Sequence, residues 1–174
     1  LSSTTASNNT AVGRNAMVST TTGADNVAVG SLALTVNTTG TQNAAIGYNS
    51  LRDNTSGSSN VAVGEGAQIQ STTASQNVAV GRMALFDNTT GGGNTAVGYD
   101  AGDTITTGTG NTIIGNLADV DAVGAVNRIA LGNQVSCASN NRITVGAGSS
   151  IANLELNGSD TSWAASSDER LKEN

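Results

Sequence analysis

Two carboxylates poised across a cleft are what a sugar hydrolase needs, so the acidic residues are the first place to look for catalysis. Asp25, Asp53, Glu65, Asp87, Asp100, Asp103, Asp119 and Asp121 share no register that would pair them from one part of the chain to another, and depolymerase chemistry is not expected of them. The chain has no histidine and no Gly-Gly-x-Gly-x-Asp calcium phrase, so no metal and no cofactor is expected. Asp119-x-Asp121 is too common a spacing to carry weight. The single Cys137 excludes an internal disulfide and reads as a small buried residue rather than a reactive thiol. Contact chemistry is suggested instead by Arg14, Tyr48, Arg82 and Tyr99, which fall on one row with Ser31, Glu65, Asn116 and Asn133, each directly after a glycine. A stripe of aromatic and cationic groups suits a glycan or a partner surface. The competing reading is an ordinary solvated row.

That row exists because the sequence is a lattice. Gly13, Gly30, Gly47, Gly64, Gly81, Gly98, Gly115 and Gly132 are spaced by 17 residues without an insertion or deletion. Asn9, Asn26, Asn43, Asn60, Asn77, Asn94 and Asn111 keep the same beat, as do the pairs Thr21/Thr22, Thr38/Thr39, Thr55/Ser56, Thr72/Thr73, Thr89/Thr90 and Thr106/Thr107. Seventeen residues are too few for a helical hairpin and fit one coil of a parallel β-roll or β-solenoid, an all-β fold whose coils stack at about 4.8 Å. Alternation within the strand phrase puts Ala11, Ala28, Ala45, Ala62, Ala79 and Ala96 on one face. Val12, Val29, Ile46, Val63, Val80, Val97 and Ile114 lie on the other. The β-branched row is expected to fill each coil, and the alanine row, first broken at Ile113, to meet a close neighbour. Each glycine is expected to need positive φ or a close approach. The asparagine before each strand is expected to tolerate left-handed geometry and to stack as an amide ladder, and Thr-Thr-Gly to close the coil as a turn.

Composition narrows the function. With 22 glycines and 2% aromatic residues, a single copy buries little per residue, so stability is expected from stacked backbone bonds or from association with further copies. A formal net charge of −6 with isolated arginines argues against nucleic acid. No apolar run approaches spanning length and no signal peptide is visible, so no membrane insertion is expected. Leu1 is not an initiator methionine, and the chain is expected to be a piece of something longer. Sequons such as Asn37-Thr38-Thr39 and Asn88-Thr89-Thr90 recur because the turn is rich in these residues, and glycosylation need not follow.

After Gly132 the next matching glycine is Gly146, a step of 14, and the phrases become "NRIALG" and "NNRITVG". The lattice is being changed or terminated there. Leu154 and Leu156 alternate as a last strand would, and Trp163, the only tryptophan, precedes a charged end. That end, "SSDERLKEN", resembles the opening of the intramolecular chaperone domain at the C-terminus of bacteriophage tail fibres and tailspikes, including endosialidases. The resemblance implies a domain that trimerises the shaft and then cuts itself off, with Ser167 and Lys172 as its serine and lysine and cleavage beside the Ser167–Asp168 bond. A lysine held near a serine hydroxyl acts as its base once burial lowers its pKa. The bland alternative for the same letters is a capped, charged helix start. The repeats over residues 8 to 146 resemble the head β-rolls of trimeric autotransporter adhesins, which use shorter coils.

The expected organisation is therefore a 17-residue-repeat β-roll shaft over 1–132, a shorter terminal coil with capping strands over 133–162, and the start of a chaperone domain over 163–174. The expected function is a structural or adhesive shaft of a phage tail fibre or tailspike. It is a homotrimer on the virion that meets a host-cell glycan or protein through this or adjacent segments. The shaft itself is not expected to be an enzyme. A bacterial surface adhesin head is the alternative among binding proteins. A monomeric threonine-rich solenoid that binds ice is the alternative from another class, although ice surfaces usually carry Thr-x-Thr whereas these threonines are adjacent.

Overall fold

A computed structural model describes residues 5–156 and 164–165, and the described residues form an all-β solenoid of stacked coils, each closed within one chain. The strand phrases pair in the order of the sequence. β1 (Thr10–Val12), β2 (Val27–Val29), β3 (Ala44–Ile46), β4 (Val61–Val63), β5 (Val78–Val80), β6 (Thr95–Val97), β7 (Thr112–Ile114), β9 (Ile129–Leu131) and β11 (Arg142–Ala147) make parallel neighbours of one long sheet. β8 (Asp119–Val120) and β10 (Ser136–Cys137) form a second, two-stranded parallel sheet. The pairing register repeats the sequence period, with Ala28 opposite Ala45 and Ala45 opposite Ala62. It changes to a step of 14 where Ile143 pairs with Ile129. β12 (Ser150–Glu155) then turns back antiparallel on β11, β13 (Ala164–Ala165) pairs with β12, and Arg142 and Glu155 form an ion pair across the hairpin.

The interior is the reverse of the expected one. The alanine row is the buried row, and it shares a single core with Met17, Leu34, Leu51 and Leu85, four residues after the glycines. The β-branched row faces outward: Val12 is 57% exposed, Ile46 42% and Ile114 43%. Alternation defines two faces of a strand without saying which one is inside. What decides it is the opposite wall of the coil, where full leucine side chains leave room only for alanine. At Gly102, where that wall has no side chain, Ile105 fills the space beside it, and in the following coil Ile113 stands in the core where earlier coils carry alanine.

The glycine row behaves as its period predicts. φ runs from 131° to 143° from Gly13 to Gly132, and a Cβ on Gly64 would lie 2.3 Å from the carbonyl oxygen of Gly81 in the next coil. The chain turns sharply after it. The residues two and four positions on, such as Leu32 and Leu34, are left-handed, with φ of 61° and 51°. The asparagine ladder also forms, but its asparagines are not the left-handed residues. That conformation belongs to the residue before each, among them Asp25 (φ 60°), Gln42 (φ 60°) and Ser59 (φ 60°). The first threonine of each pair is tied into the next coil, Thr38 Oγ1 donating to Thr55 O (3.0 Å) and Thr55 Oγ1 to Thr72 O (3.0 Å). The second, as at Thr39, Thr73 and Thr90, is exposed.

A Gly64→Ala substitution is expected to cost more than about 3 kcal/mol, because it combines a disfavoured φ with a main-chain collision that no side-chain movement relieves. Gly124→Ala, whose added Cβ has Thr107 Oγ1 as its nearest neighbour at 3.7 Å, is expected to change stability by less than about 1 kcal/mol. Urea denaturation of the two variants checks the contrast.

Candidate functional site

Three features of the surface are candidates, and the coil geometry builds each one. The first is the row after the glycines. Extended strand, glycine turn and left-handed residue together send this side chain outward in every coil, and all of its members are exposed except the half-buried Ser31. The structure brings Arg82 and Tyr99 together: the guanidinium lies 5.5 Å from the ring centroid and Nη1 donates to the Tyr99 hydroxyl (3.2 Å). On its other side Arg82 Nε stands 3.6 Å from Glu65 Oε2. Arg14 and Tyr48 belong to the same row but are separated by Ser31, and Glu65 stands between Tyr48 and Arg82. Glu65 is thus the connecting residue that attention to aromatic and cationic types passed over; its place 17 residues before Arg82 was the signal for it. Further along, Asn116 Nδ2 donates to Asn133 Oδ1 (2.9 Å). Pairs this exposed contribute little to stability. They do hold a defined pattern of ring, cation and acid for a partner to meet.

The second feature is the outer face of the long sheet. Its two outward rows run Thr10, Val27, Ala44, Val61, Val78, Thr95, Thr112, Ile129 and Val12, Val29, Ile46, Val63, Val80, Val97, Ile114, Leu131. Val12, Val27, Val29, Ile46, Val61 and Ile114 are exposed, and the others between β2 and β9 are half-buried. The face carries no charged side chain. Contiguous apolar surface of this kind marks an interaction site in a soluble protein.

The third is an acidic corner at the change of lattice. Asp119 stands at the position of Leu34, Leu51 and Leu85, and where those leucines are left-handed it begins the extended β8; Leu117 before it keeps the left-handed turn (φ 54°). Its Oδ2 accepts from the Thr104 main-chain N–H (3.3 Å). Burial pushes the Asp119 carboxyl up to about 7; hydrogen bonds from Thr104 and Val120 oppose the rise, and the adjoining Asp103 adds to it. Beside them, Arg128 takes the place of the next ladder asparagine. Its guanidinium is bonded to Asp121, Asn140 Oδ1 (2.8 Å) and the Cys137 carbonyl (2.8 Å). Cys137 is buried.

The sequon asparagines Asn37 and Asn88 are wholly buried with their amides donated to Gly40 O and Gly91 O, so the folded coil does not offer these two for glycosylation. Among the described residues no group of three or more metal-binding side chains stands together, and no helix is long and apolar enough to cross a membrane. Ser167, Lys172 and Trp163 lie outside the described residues. No family model, curated protein or solved structure matches the chain.

The Asp119 carboxyl makes stability fall with rising pH. With a folded value near 7 against an ordinary 3.8, the folded state holds the extra proton between these limits, so this group's contribution is fully present below about pH 4 and lost by about pH 7. Asp119→Asn is expected to melt higher than the parent at pH 8 and to lose that advantage by pH 4. Melting curves at the two pH values check it, and an advantage independent of pH would refute it.

Proposed function

We propose that this chain is a shaft segment of a phage tail fibre or tailspike, assembled as a homotrimer, whose work is mechanical. It places a receptor-binding part at a distance and presents an ordered surface to the host cell. The observation that carries the reading is the outer sheet face: apolar β-branched side chains in strict register along the stacked coils, with charge kept off it. An isolated copy has no reason to keep such a face apolar. Further copies of the same chain provide a matching apolar surface in the same register and cover it. The row of Tyr48, Glu65, Arg82 and Tyr99 runs along the corner beside that face, where it stays accessible for a glycan or protein of the host surface.

The C-terminal "SSDERLKEN" completes the reading as a chaperone junction. A chaperone that aligns three copies and is then released leaves a shaft whose unfolding must separate the stacked coils before refolding can be guided again. Such a product is kinetically stable. In the cut, the Ser167 hydroxyl attacks a main-chain carbonyl beside it while Lys172 takes its proton; the peptide C–N bond breaks, the departing nitrogen takes that proton from Lys172, and water hydrolyses the resulting ester.

Light scattering tests the assembly. The expected mass is three times the 17.2 kDa of one chain, and Ile46→Asp combined with Val63→Asp is expected to reduce it to one chain while the far-ultraviolet circular dichroism stays that of a β protein. A folded single chain for the parent would contradict the reading. A chain extended through the C-terminal domain is expected to be cut beside Ser167, and Ser167→Ala to remain whole. An extended chain that is never cut would remove the phage-chaperone part of the reading and favour the adhesin head.

A further inference from the structure

Inside the coils, the row seven residues after the glycines is a second polar ladder: Thr20, Asn37, Asn54, Ser71, Asn88, ending at Ile105, and all six are buried. Where two asparagines follow one another the ladder closes, Asn54 Nδ2 donating both to Asn37 Oδ1 (2.9 Å) and to Gly57 O (3.0 Å). The next rung is Ser71, which has no amide to continue it. Asn88, beyond it, turns both ends of its amide to Gly91, accepting from the Gly91 N–H and donating to the Gly91 carbonyl (3.0 Å each). The ladder is interrupted for one coil.

Three oxygens in that stretch are buried without a partner: Asn54 Oδ1, Ser71 Oγ and Gln68 Oε1. Ser71 follows Asn54 by one coil, and Gln68 lies in the same coil as Ser71, whose main-chain N–H donates to the Gln68 carbonyl (3.1 Å). Gln68 itself occupies a leucine position of the core, its Nε2 turned to Val61 O (3.5 Å). A buried oxygen left unsatisfied gives up its hydration without a return, and three in neighbouring positions weigh heavily on a marginally stable coil. The chemistry of the three is complementary to one small molecule. Two are acceptors that want protons, and the third is a hydroxyl that has one to give.

We propose that the rung at Ser71 is an internal binding site for a single water molecule, which donates to Asn54 Oδ1 and Gln68 Oε1 and accepts from the Ser71 hydroxyl. Serine in place of asparagine removes two heavy atoms from the row, which is about the room one water takes, and three hydrogen bonds are the usual number for a buried water. The single unpartnered Thr20 Oγ1 at the start of the same row has no such set around it. The water would restore the continuity of the ladder at the coil where the side chains interrupt it.

A high-resolution crystal structure of the chain tests the site directly. The expected result is one ordered water within hydrogen-bond distance of all three oxygens. Side chains rotated to bond one another directly, or no water at this rung, would overturn the proposal. Thermal melting of two variants provides an independent readout. Ser71→Asn supplies the missing amide, displaces the water and is expected to raise the Tm by about 2–4 °C; Ser71→Ala removes the donor and is expected to lower it by a similar amount. A Ser71→Ala variant that melts as the parent does would also overturn it.

Discussion

Each coil passes one buried asparagine carbonyl to the main chain of the next. Asn43 N–H donates to Asn26 Oδ1 (2.9 Å), Asn60 N–H to Asn43 Oδ1 (3.0 Å) and Asn77 N–H to Asn60 Oδ1 (3.1 Å), and the series continues to Arg128 N–H on Asn111 Oδ1 (3.0 Å). The same side chains donate their amides to carbonyls 14 residues on, Asn60 Nδ2 to Ala74 O (2.8 Å) for example. Both contacts fail if a coil gains or loses a residue, which accounts for a period held without drift. The ladder stops where its next member is an arginine, and there the lattice shortens. Arg128 keeps the main-chain contact and spends its guanidinium on Asp121, Asn140 and Cys137, closing the interior that the asparagines had lined.

With the register fixed from within, the remaining rows divide the work. Left-handed backbone at Leu34, Leu51 and Leu85 costs about 1–2 kcal/mol each. Complete burial of a leucine returns about 1.5–3 kcal/mol. The core therefore contributes only a small surplus per coil, and the hydrogen bonds between coils carry much of the stability. A structure stabilised in this way has no need of its β-branched residues inside. They stand outside, in register, on the face that the proposed assembly covers.

The period, the glycine turn, the amide ladder and the step of 14 were all legible in the sequence, because each is a repetition and repetition survives without knowledge of the third dimension. The sense of the strand was not legible. Val80 and Ala79 alternate whichever one is buried, and what decides between them is Leu85 on the opposite wall, held by a backbone conformation that leucine seldom adopts. Contacts that follow the lattice, such as Glu65 with Arg82 and Arg82 with Tyr99, can be read by adding 17. The Thr104–Asp119 contact cannot, since its offset of 15 residues departs from the lattice where the chain enters the strand β8.

The dependence of the whole fold on the asparagine ladder is tested most directly by equilibrium denaturation of Asn60→Ala, a substitution in the middle of the stack. It leaves the Asn77 N–H and the Ala74 carbonyl buried without their partners. At about 1–3 kcal/mol for each orphaned group, the account predicts a loss of about 2–6 kcal/mol and a collapse of the cooperative transition. A midpoint within about 0.5 kcal/mol of the parent's, as for an ordinary surface substitution, would contradict it.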